Sequence, residues 1–236
     1  MANDRLVAIL ERLAAYGAEP SGTLHLCELS SELTGTSGAS IMLLSDDLAR
    51  GSLCTTDGIA AYLDDLQFTL GEGPAFETHL EGRVVAAADL AAPERPRWFA
   101  LTPSAVRAGV RAMFGFPVRI GAVRMGALNL YRDTPGTLSD PQFRDGLLLA
   151  DVAARTILSV QAGAPPGLVA AELESGANFH LVVHQAAGMV SVQLGVGVTE
   201  ALVRLRSLAF RSGRAIDDVA GDVVARRLRL SEPEDP

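Results

Sequence analysis

The sequence contains no lysine, and all 20 of its basic residues are arginines. Lysine supplies the ammonium group that contacts phosphate in a P-loop, forms a Schiff base with a carbonyl substrate, or holds ATP in a protein kinase. Arginine cannot replace it in these roles because its guanidinium stays protonated and has a different shape. The absence of lysine therefore excludes these three kinds of active site.

Long apolar runs and cysteines are also scarce. No stretch of about 18 uninterrupted apolar residues occurs, and the first helical segment, MANDRLVAILERLAAY, carries charges within its apolar part, so we expect neither a membrane span nor a signal peptide. The only cysteines are Cys27 and Cys54, each among core-like residues. This usage predicts a protein of the reducing cytoplasm without a disulfide framework, and it leaves a single disulfide open.

Catalytic and metal-binding motifs are missing as well. No GxSxG is present, and LGEGP has only part of a dinucleotide-binding glycine pattern. His180 and His184 have the i, i+4 spacing of a zinc-protease helix, but Leu181 stands where that helix needs a glutamate. We therefore predict that the protein is not an enzyme, that it has no catalytic residues, metal site or cofactor, and that these histidines lie solvated at the surface.

The hydrophobic pattern over the first two thirds of the chain predicts an α+β fold. Apolar residues with helical spacing indicate helices over 6–13, 24–33, 59–67 and 139–162. Short β-type runs indicate strands over 39–45, 51–58, 84–87, 111–120 and 124–133, and 95–110 should hold a short helix or a loop. This order favours an antiparallel sheet with helices packed on one side.

The composition changes after the long helix. AGAPPGLV contains two prolines and two glycines and indicates a linker, and the remainder of the chain is typical of three helices over 178–194, 199–212 and 216–229. We therefore divide the chain into an N-terminal helix (1–21), an α+β domain (22–162), a linker (163–177), a small all-α domain (178–230) and a tail (231–236).

The helical domain is the basic part of an acidic protein. The whole chain has a formal charge of −8, whereas residues 178–230 contain seven arginines and four acidic residues, which gives +3. This excess of positive charge permits contact with nucleic acid but does not establish it.

The segment QAAGM lies at the centre of the first predicted helix of this domain. Its glycine costs about 1 kcal/mol relative to alanine inside a helix. A helical wheel places Ala187 and Gly188 on an outer surface, where small residues allow close approach of either an RNA or a neighbouring helix. Both explanations remain open on the pattern alone.

Residues 178–229 resemble the ANTAR domain, the three-helix RNA-binding module of bacterial antitermination regulators. The likeness is carried by Ala186, Gly188 and Met189 in the first helix and by two pairs in the second, Glu200-Ala201 and Leu205-Arg206. Arg214 and the tripeptide Asp218-Val219-Ala220 complete it. The resemblance implies binding of RNA stem-loops by a dimer, through the site residues Ala186, Ala187, Gly188, Arg206, Arg211 and Arg214. Ala187 departs from the family, which often has lysine or another polar residue there.

Residues 22–162 are similar to a GAF domain, a sensor domain that commonly binds small ligands or dimerises. The likeness rests on GASIMLLSDD, LQFTLGEGPAFET, RVVAAADL and MGALNLYRDTPGTLSD. Related sequences often read LGEGPC, so Ala75 excludes a thiol-based role at that position here. The likeness names no ligand-binding residues.

Together the resemblances imply a cytoplasmic transcription antitermination regulator. Its GAF domain would sense a signal, and its ANTAR domains would bind RNA as a homodimer. Candidate dimer surfaces are residues 6–13, the helix 139–162, Leu181 and Val192. The alternative is a small-ligand-binding or dimerisation protein whose ANTAR module no longer binds RNA.

Overall fold

A computed structural model of the protein describes residues 2–15, 22–45, 48–92, 97–163 and 180–230. The chain divides into two compact units. The amino-terminal unit comprises Met1–Phe68 and Glu72–Phe179, and the carboxy-terminal unit comprises His180–Pro236 together with Thr69–Gly71. The predicted tail (231–236) and the predicted linker (163–177, apart from Gly163) lie outside the described residues.

The described part of the amino-terminal unit contains helices and strands in mixed order, as expected. Its helices are α1 (Ala2–Ala15), α2 (Gly22–Thr34), α3 (Gly58–Leu70), α4 (Pro74–Glu81), α5 (Leu101–Arg107) and α6 (Asp140–Gly163). Its strands are β1 (Gly38–Ser45), β2 (Leu48–Thr55), β3 (Val85–Ala87), β4 (Ala112–Ile120) and β5 (Val123–Arg132). The main difference from the sequence prediction is β2, which begins and ends three residues earlier than expected.

The five strands form one antiparallel sheet in the order β2-β1-β5-β4-β3. The central strand β5 pairs with β1 and β4, and Leu128 lies opposite both Ile41 and Phe116. Because side chains alternate between the faces of a strand, this register places a row of large apolar residues on one face.

Helices cover both faces of this sheet, so the prediction of helices on one side only is wrong. On one face, Ile41 and Phe116 join a core with residues of α2 and α6. On the other face, Ser40 of β1 bonds to α3, and α4 packs against β4. Gly115 allows this second contact, since a Cβ there would lie 2.8 Å from the backbone oxygen of Pro74. The sequence predicted a helix over 59–67, but not the sheet face that it covers, because that face includes polar residues such as Ser40.

A disulfide joins Cys27 of α2 to Cys54 of β2, which is the single bridge that the sequence left open. Cys54 lies opposite Ile41 in the register and therefore faces the core that α2 covers. Both cysteines are buried, and their Cα atoms are 6.3 Å apart. The alternation of β2 and the packing of α2 bring the two side chains together, although they are 27 positions apart in sequence.

Helix α1 packs on the same core. Ile9 is fully buried there, and Arg5 forms a paired hydrogen bond to Asp145 of α6 through Nε (2.8 Å) and Nη2 (2.7 Å). Val7 and Leu10 on its other side are each 46% exposed. The amphipathic pattern therefore has a buried stripe as expected, beside a second apolar stripe that is accessible.

The described part of the carboxy-terminal unit contains three helices: α7 (Leu181–Leu194), α8 (Val198–Ser212) and α9 (Ile216–Val224). Left-handed Gly195 and Gly213 end the first two, and α9 ends five residues before its predicted boundary at Arg229. No single described helix is long and apolar enough to cross a membrane; α7 and α8 reach that length and hydropathy only when combined across their 106° bend.

Candidate functional site

A buried carboxylate lies between α3 and the sheet of the amino-terminal unit. Asp64 is 1% exposed, and its Oδ1 accepts hydrogen bonds from Ser40 Oγ (2.7 Å) and Asn129 Nδ2 (3.2 Å). Its Oδ2 accepts a hydrogen bond from Ser52 Oγ at 2.5 Å. Within the described ranges no arginine forms an ion pair with this carboxylate, so neutral donors alone solvate it.

Burial raises the pKa of Asp64 to about 6, because the charged form loses its hydration, and the donors of Ser52, Ser40 and Asn129 oppose this rise. The raised pKa brings the protonation of this carboxyl into the range near neutrality. Strongly shifted carboxyl groups inside a protein are more common at functional sites than elsewhere.

A small chamber adjoins this carboxylate. Its volume is about 10 Å³, and Ser40, Asp64, Gln67 and Asn129 are among its lining residues. Two buried polar atoms at the chamber have no hydrogen-bond partner, the donor Gln67 Nε2 and the acceptor Asn129 Oδ1. The volume suits a guest the size of one water molecule, which could accept a bond from the first atom and donate one to the second.

A larger, open pocket of about 450 Å³ lies beside the edge strand β3, a size within the range of small-molecule sites. Residues 86–88, which are all alanines, form part of its wall with Asp89 and Trp98. Glu77 of α4 holds two lining residues in place: it accepts a hydrogen bond from Trp98 Nε1 (3.1 Å) and forms an ion pair with Arg97 (3.2 Å). The pocket is therefore mainly apolar with charged groups at its rim.

The sheet with helices on both faces is similar to known structures. No protein-family model and no curated protein sequence matches this chain. A GAF domain of a phosphoenolpyruvate-protein phosphotransferase from Coxiella burnetii matches 68% of this chain and 95% of its own, with a TM-score of 0.53 and 16% identity. The amino-terminal unit has a GAF-domain fold. A domain from a candidate two-component sensor histidine kinase of Sinorhizobium meliloti matches 62% of this chain and 94% of its own, with a TM-score of 0.51 and 19% identity.

Ala75 lies in the first turn of α4. Ala75 is fully buried, and its backbone N–H donates to Gln67 Oε1 at 2.9 Å. This position therefore connects the start of α4 to the side chain that lines the chamber.

In the carboxy-terminal unit, the prediction that Ala187 lies on the outer surface is wrong. Ala186 is 0% and Ala187 is 1% exposed, so neither side chain is accessible to a ligand. At 100° per residue Ala187 lies only about 40° from Val183, which places it on the apolar stripe, and α7 contacts both α8 and α9. Gly188 lies outside this stripe, and a Cβ added to it would meet nothing within 4 Å.

The three arginines predicted to bind RNA lie in different surroundings. Arg206 is half-buried, whereas Arg211 is exposed and forms no ion pair with any described residue. Arg214 is exposed too, and its Nη2 lies 2.6 Å from Oδ2 of Asp222. Their RNA-binding role stays a prediction.

The prediction of solvated histidines is wrong for His180. This residue is 5% exposed, and its Nδ1 lies 2.8 Å from Oδ2 of Asp217, at the start of α9. His184 is half-buried. In the described ranges no group of three or more His, Cys, Asp or Glu side chains is arranged to hold a metal ion.

Sequence reasoning missed the buried polar residues of the GAF unit. Asp64 and Gln67 lie on the same face of α3 as the buried Ala60 and Leu63, in i, i+3, i+4, i+7 spacing. Two polar residues on an otherwise apolar helix stripe were the available signal. The strand residues Ser40 and Asn129 that bond to Asp64 could not be paired with it from sequence, because the register decides which residues meet.

Proposed function

We propose that this protein is a cytoplasmic transcription antitermination regulator, in which the GAF unit senses a signal and the carboxy-terminal unit binds RNA stem-loops within a homodimer. The observation that carries the proposal is the arginine-rich surface of the carboxy-terminal unit. Arg211, Arg226 and Arg229 are exposed there and form no ion pair with a described residue. Together with the resemblance of 178–229 to ANTAR domains, this surface favours a polyanionic partner.

The proposed mechanism is binding, with no bond made or broken. Guanidinium groups bind phosphate through two parallel N–H donors, and their contacts release counterions from the RNA. A folded hairpin also exposes loop bases that a protein can read. The unit would therefore stabilise one RNA secondary structure over a competing one by binding its loops.

The chamber under α3 supports a sensing role for the GAF unit. Its buried carboxylate, with the unpartnered Gln67 Nε2 and Asn129 Oδ1, provides both a donor and acceptors for a polar ligand. The open pocket beside β3 offers a second volume of small-molecule size. Ligand screening against variants of the chamber and of the open pocket distinguishes which of them binds the signal molecule.

Exposed apolar side chains support the dimeric state. Leu147 and Leu158 of α6 and Val7 and Leu10 of α1 are between 42% and 46% exposed. In the carboxy-terminal unit, Leu181 is 64% and Val192 is 85% exposed. We propose these side chains as candidate contacts of the dimer, since apolar surface that gathers into one patch marks association sites.

The proposal is tested by titrating the purified protein with a tandem stem-loop RNA and with the same stems carrying scrambled loops, at low and at moderate salt. Loop-dependent binding that weakens steeply with salt is the expected result. Equal binding of both RNAs, or no binding at either salt concentration, contradicts the proposal.

A second candidate function is a ligand-binding or dimerisation protein without RNA affinity. The burial of Ala186 and Ala187 favours it, because two of the six residues implied by the family resemblance cannot contact RNA through their side chains. Such a protein would leave both RNAs unbound while remaining a folded dimer.

A further inference from the structure

Two arginines of the carboxy-terminal unit share one carboxylate. Arg214, just after α8, lies with Nη2 2.6 Å from Oδ2 of Asp222. Arg227, just after α9, lies with Nε 2.8 Å and Nη2 2.7 Å from Oδ1 of the same residue. The sequence separates these arginines by 13 positions, and the fold brings their guanidinium groups to opposite oxygens of one side chain.

The backbone holds both arginines in place. After α9 the chain turns through Arg226 in a left-handed conformation (φ 58°), and the N–H groups of Arg227 and Leu228 both donate to the carbonyl oxygen of Asp222, at 2.8 and 3.1 Å. The N–H of Arg214 donates to the carbonyl oxygen of Ala209 at 3.1 Å. The fold therefore sets the backbone at both arginines before any ligand arrives, and Asp222 orients their side chains.

The cluster retains unused hydrogen-bond donors and a net positive charge. A guanidinium has five N–H groups, and Asp222 accepts one hydrogen bond from Arg214 and one from Arg227, whose Nη2 also lies 2.7 Å from the carboxylate. Within the described residues neither guanidinium has another side-chain partner, and the side chains are 43% and 67% exposed. Two cations and one anion leave a charge of +1 at the surface.

We infer that Arg214 and Arg227, positioned by Asp222, form a two-guanidinium clamp for a backbone phosphate of hairpin RNA. This inference rests on the proposed RNA-binding function and adds Arg227 and Asp222 to its residues. Paired guanidinium forks match the geometry of phosphate oxygens, and positioning them in advance lowers the entropy lost on binding. Asp222 is a positioning residue, which orients the cations although its own charge repels the ligand.

Whether Asp222→Ala strengthens or weakens RNA binding distinguishes this clamp from general electrostatic attraction. Asp222→Ala and Asp218→Ala each raise the net charge by one, and Asp218 is an exposed residue of the same helix outside the cluster. If only net charge matters, both variants bind RNA more tightly. The clamp instead predicts that Asp222→Ala binds the hairpin several-fold more weakly, while Asp218→Ala binds it equally well or more tightly.

The experiment measures dissociation constants of the full-length variants for the stem-loop RNA over a salt series. Arg227→Ala should weaken binding about tenfold and lower the salt slope by roughly 0.7 to 0.9. Arg204→Ala, which removes an equal charge from an exposed pair with Glu200 on α8, should weaken binding less than twofold. Circular dichroism and gel filtration establish that each variant remains folded.

The outcomes distinguish this inference from the function on which it rests. If the parent binds RNA and Arg227→Ala behaves like Arg204→Ala, or if Asp222→Ala binds more tightly, the clamp is overturned and RNA binding stands. If the parent does not bind RNA, both are overturned. Equal competition by duplex DNA of the same length overturns the assignment of the clamp to hairpin RNA.

Discussion

The side-chain oxygen Oε1 of Gln67 accepts a hydrogen bond from the backbone N–H of Ala75 at 2.9 Å, so one amide group connects α3 to the first turn of α4. The other end of that amide, Nε2, lies at the chamber beside Asp64 and has no hydrogen-bond partner. The helix that covers the sheet and the helix that follows it are thus tied together at the wall of the chamber. The buried carboxylate of Asp64 lines the same chamber as this amide.

Asp64 should make the stability of the protein depend on pH in a defined direction. Because its pKa in the folded protein is raised from 3.8 to about 6, the folded state binds the proton more tightly than the unfolded chain. Its contribution to stability is therefore complete below about pH 4 and is lost as the pH rises through about 6, with a total of about 3 kcal/mol. Urea unfolding of the parent and of Asp64→Asn between pH 4 and 7 measures this difference.

The control for that series is Asp65→Asn, which changes an exposed carboxyl on the same helix. Asp65→Asn should retain the pH dependence of the parent with a slightly lower midpoint, because the charge of Asp65 adds the smallest contribution to the raised pKa of Asp64. Asp64→Asn should lack this pH dependence. Parallel pH profiles for the parent and Asp64→Asn would show that the buried carboxyl is not the titrating group.

The disulfide should contribute strongly to the stability of the GAF unit. It closes a loop of 27 residues, and the chain-entropy relation gives about 3 to 4 kcal/mol for a loop of that length. The double variant Cys27→Ala/Cys54→Ala should unfold at correspondingly lower urea concentration. A thiol reductant should lower the stability of the parent and leave that of the double variant unchanged; a reductant effect on both would point to another cause.

Two glycines inside helices should respond in opposite ways to alanine. A Cβ at Gly146 of α6 would lie 2.5 to 2.9 Å from three ring atoms of the buried Phe116, so Gly146→Ala should destabilise the protein by about 1 to 3 kcal/mol. Gly188 of α7 has no atom within 4 Å of that position, and Gly188→Ala should stabilise it by about 0.5 to 1 kcal/mol. Thermal unfolding compares them, and destabilisation by Gly188→Ala would mean that a neighbour packs against this glycine.

Gly188 and Arg211 should affect RNA binding without affecting folding. Gly188→Leu fills the open space beside α7 and should weaken stem-loop binding more than it changes helix content, and Arg211→Ala should weaken binding and lower its salt slope by roughly 0.7 to 0.9. Fluorescence anisotropy over a salt series and circular dichroism provide the two measurements. Parent-like affinity in both variants would remove this side of α7 and α8 from the proposed interface.

Some elements of the fold could be predicted from the local sequence pattern, and others could not. Strands β1, β4 and β5 have clear apolar runs bounded by turn residues, and the long α6 has strong helical periodicity, so local pattern was enough to predict them. The second helix layer could not be predicted in this way, because α3 and α4 pack on a sheet face that includes Ser40 and Asn129.

The candidate sites depend on contacts that no local pattern contains. The pairing of Cys27 with Cys54 requires the register of β1 with β2, and the cluster of Arg214 with Arg227 requires the chain reversal after α9. The burial of Ala187 could not be predicted for a different reason. Its small side chain is compatible with an exposed and with a buried position, and the packing of α7 against α8 and α9 determines that it is buried.

The size of the chamber has a mechanical consequence. With room for about one water molecule, it cannot admit a larger guest while α3 rests on the sheet. Entry of such a guest would lift α3 and pull Gln67 from the first turn of α4, so filling the cavity and loosening the α3–α4 corner would be a single event. The unit would then report occupancy through the movement of its own covering helices.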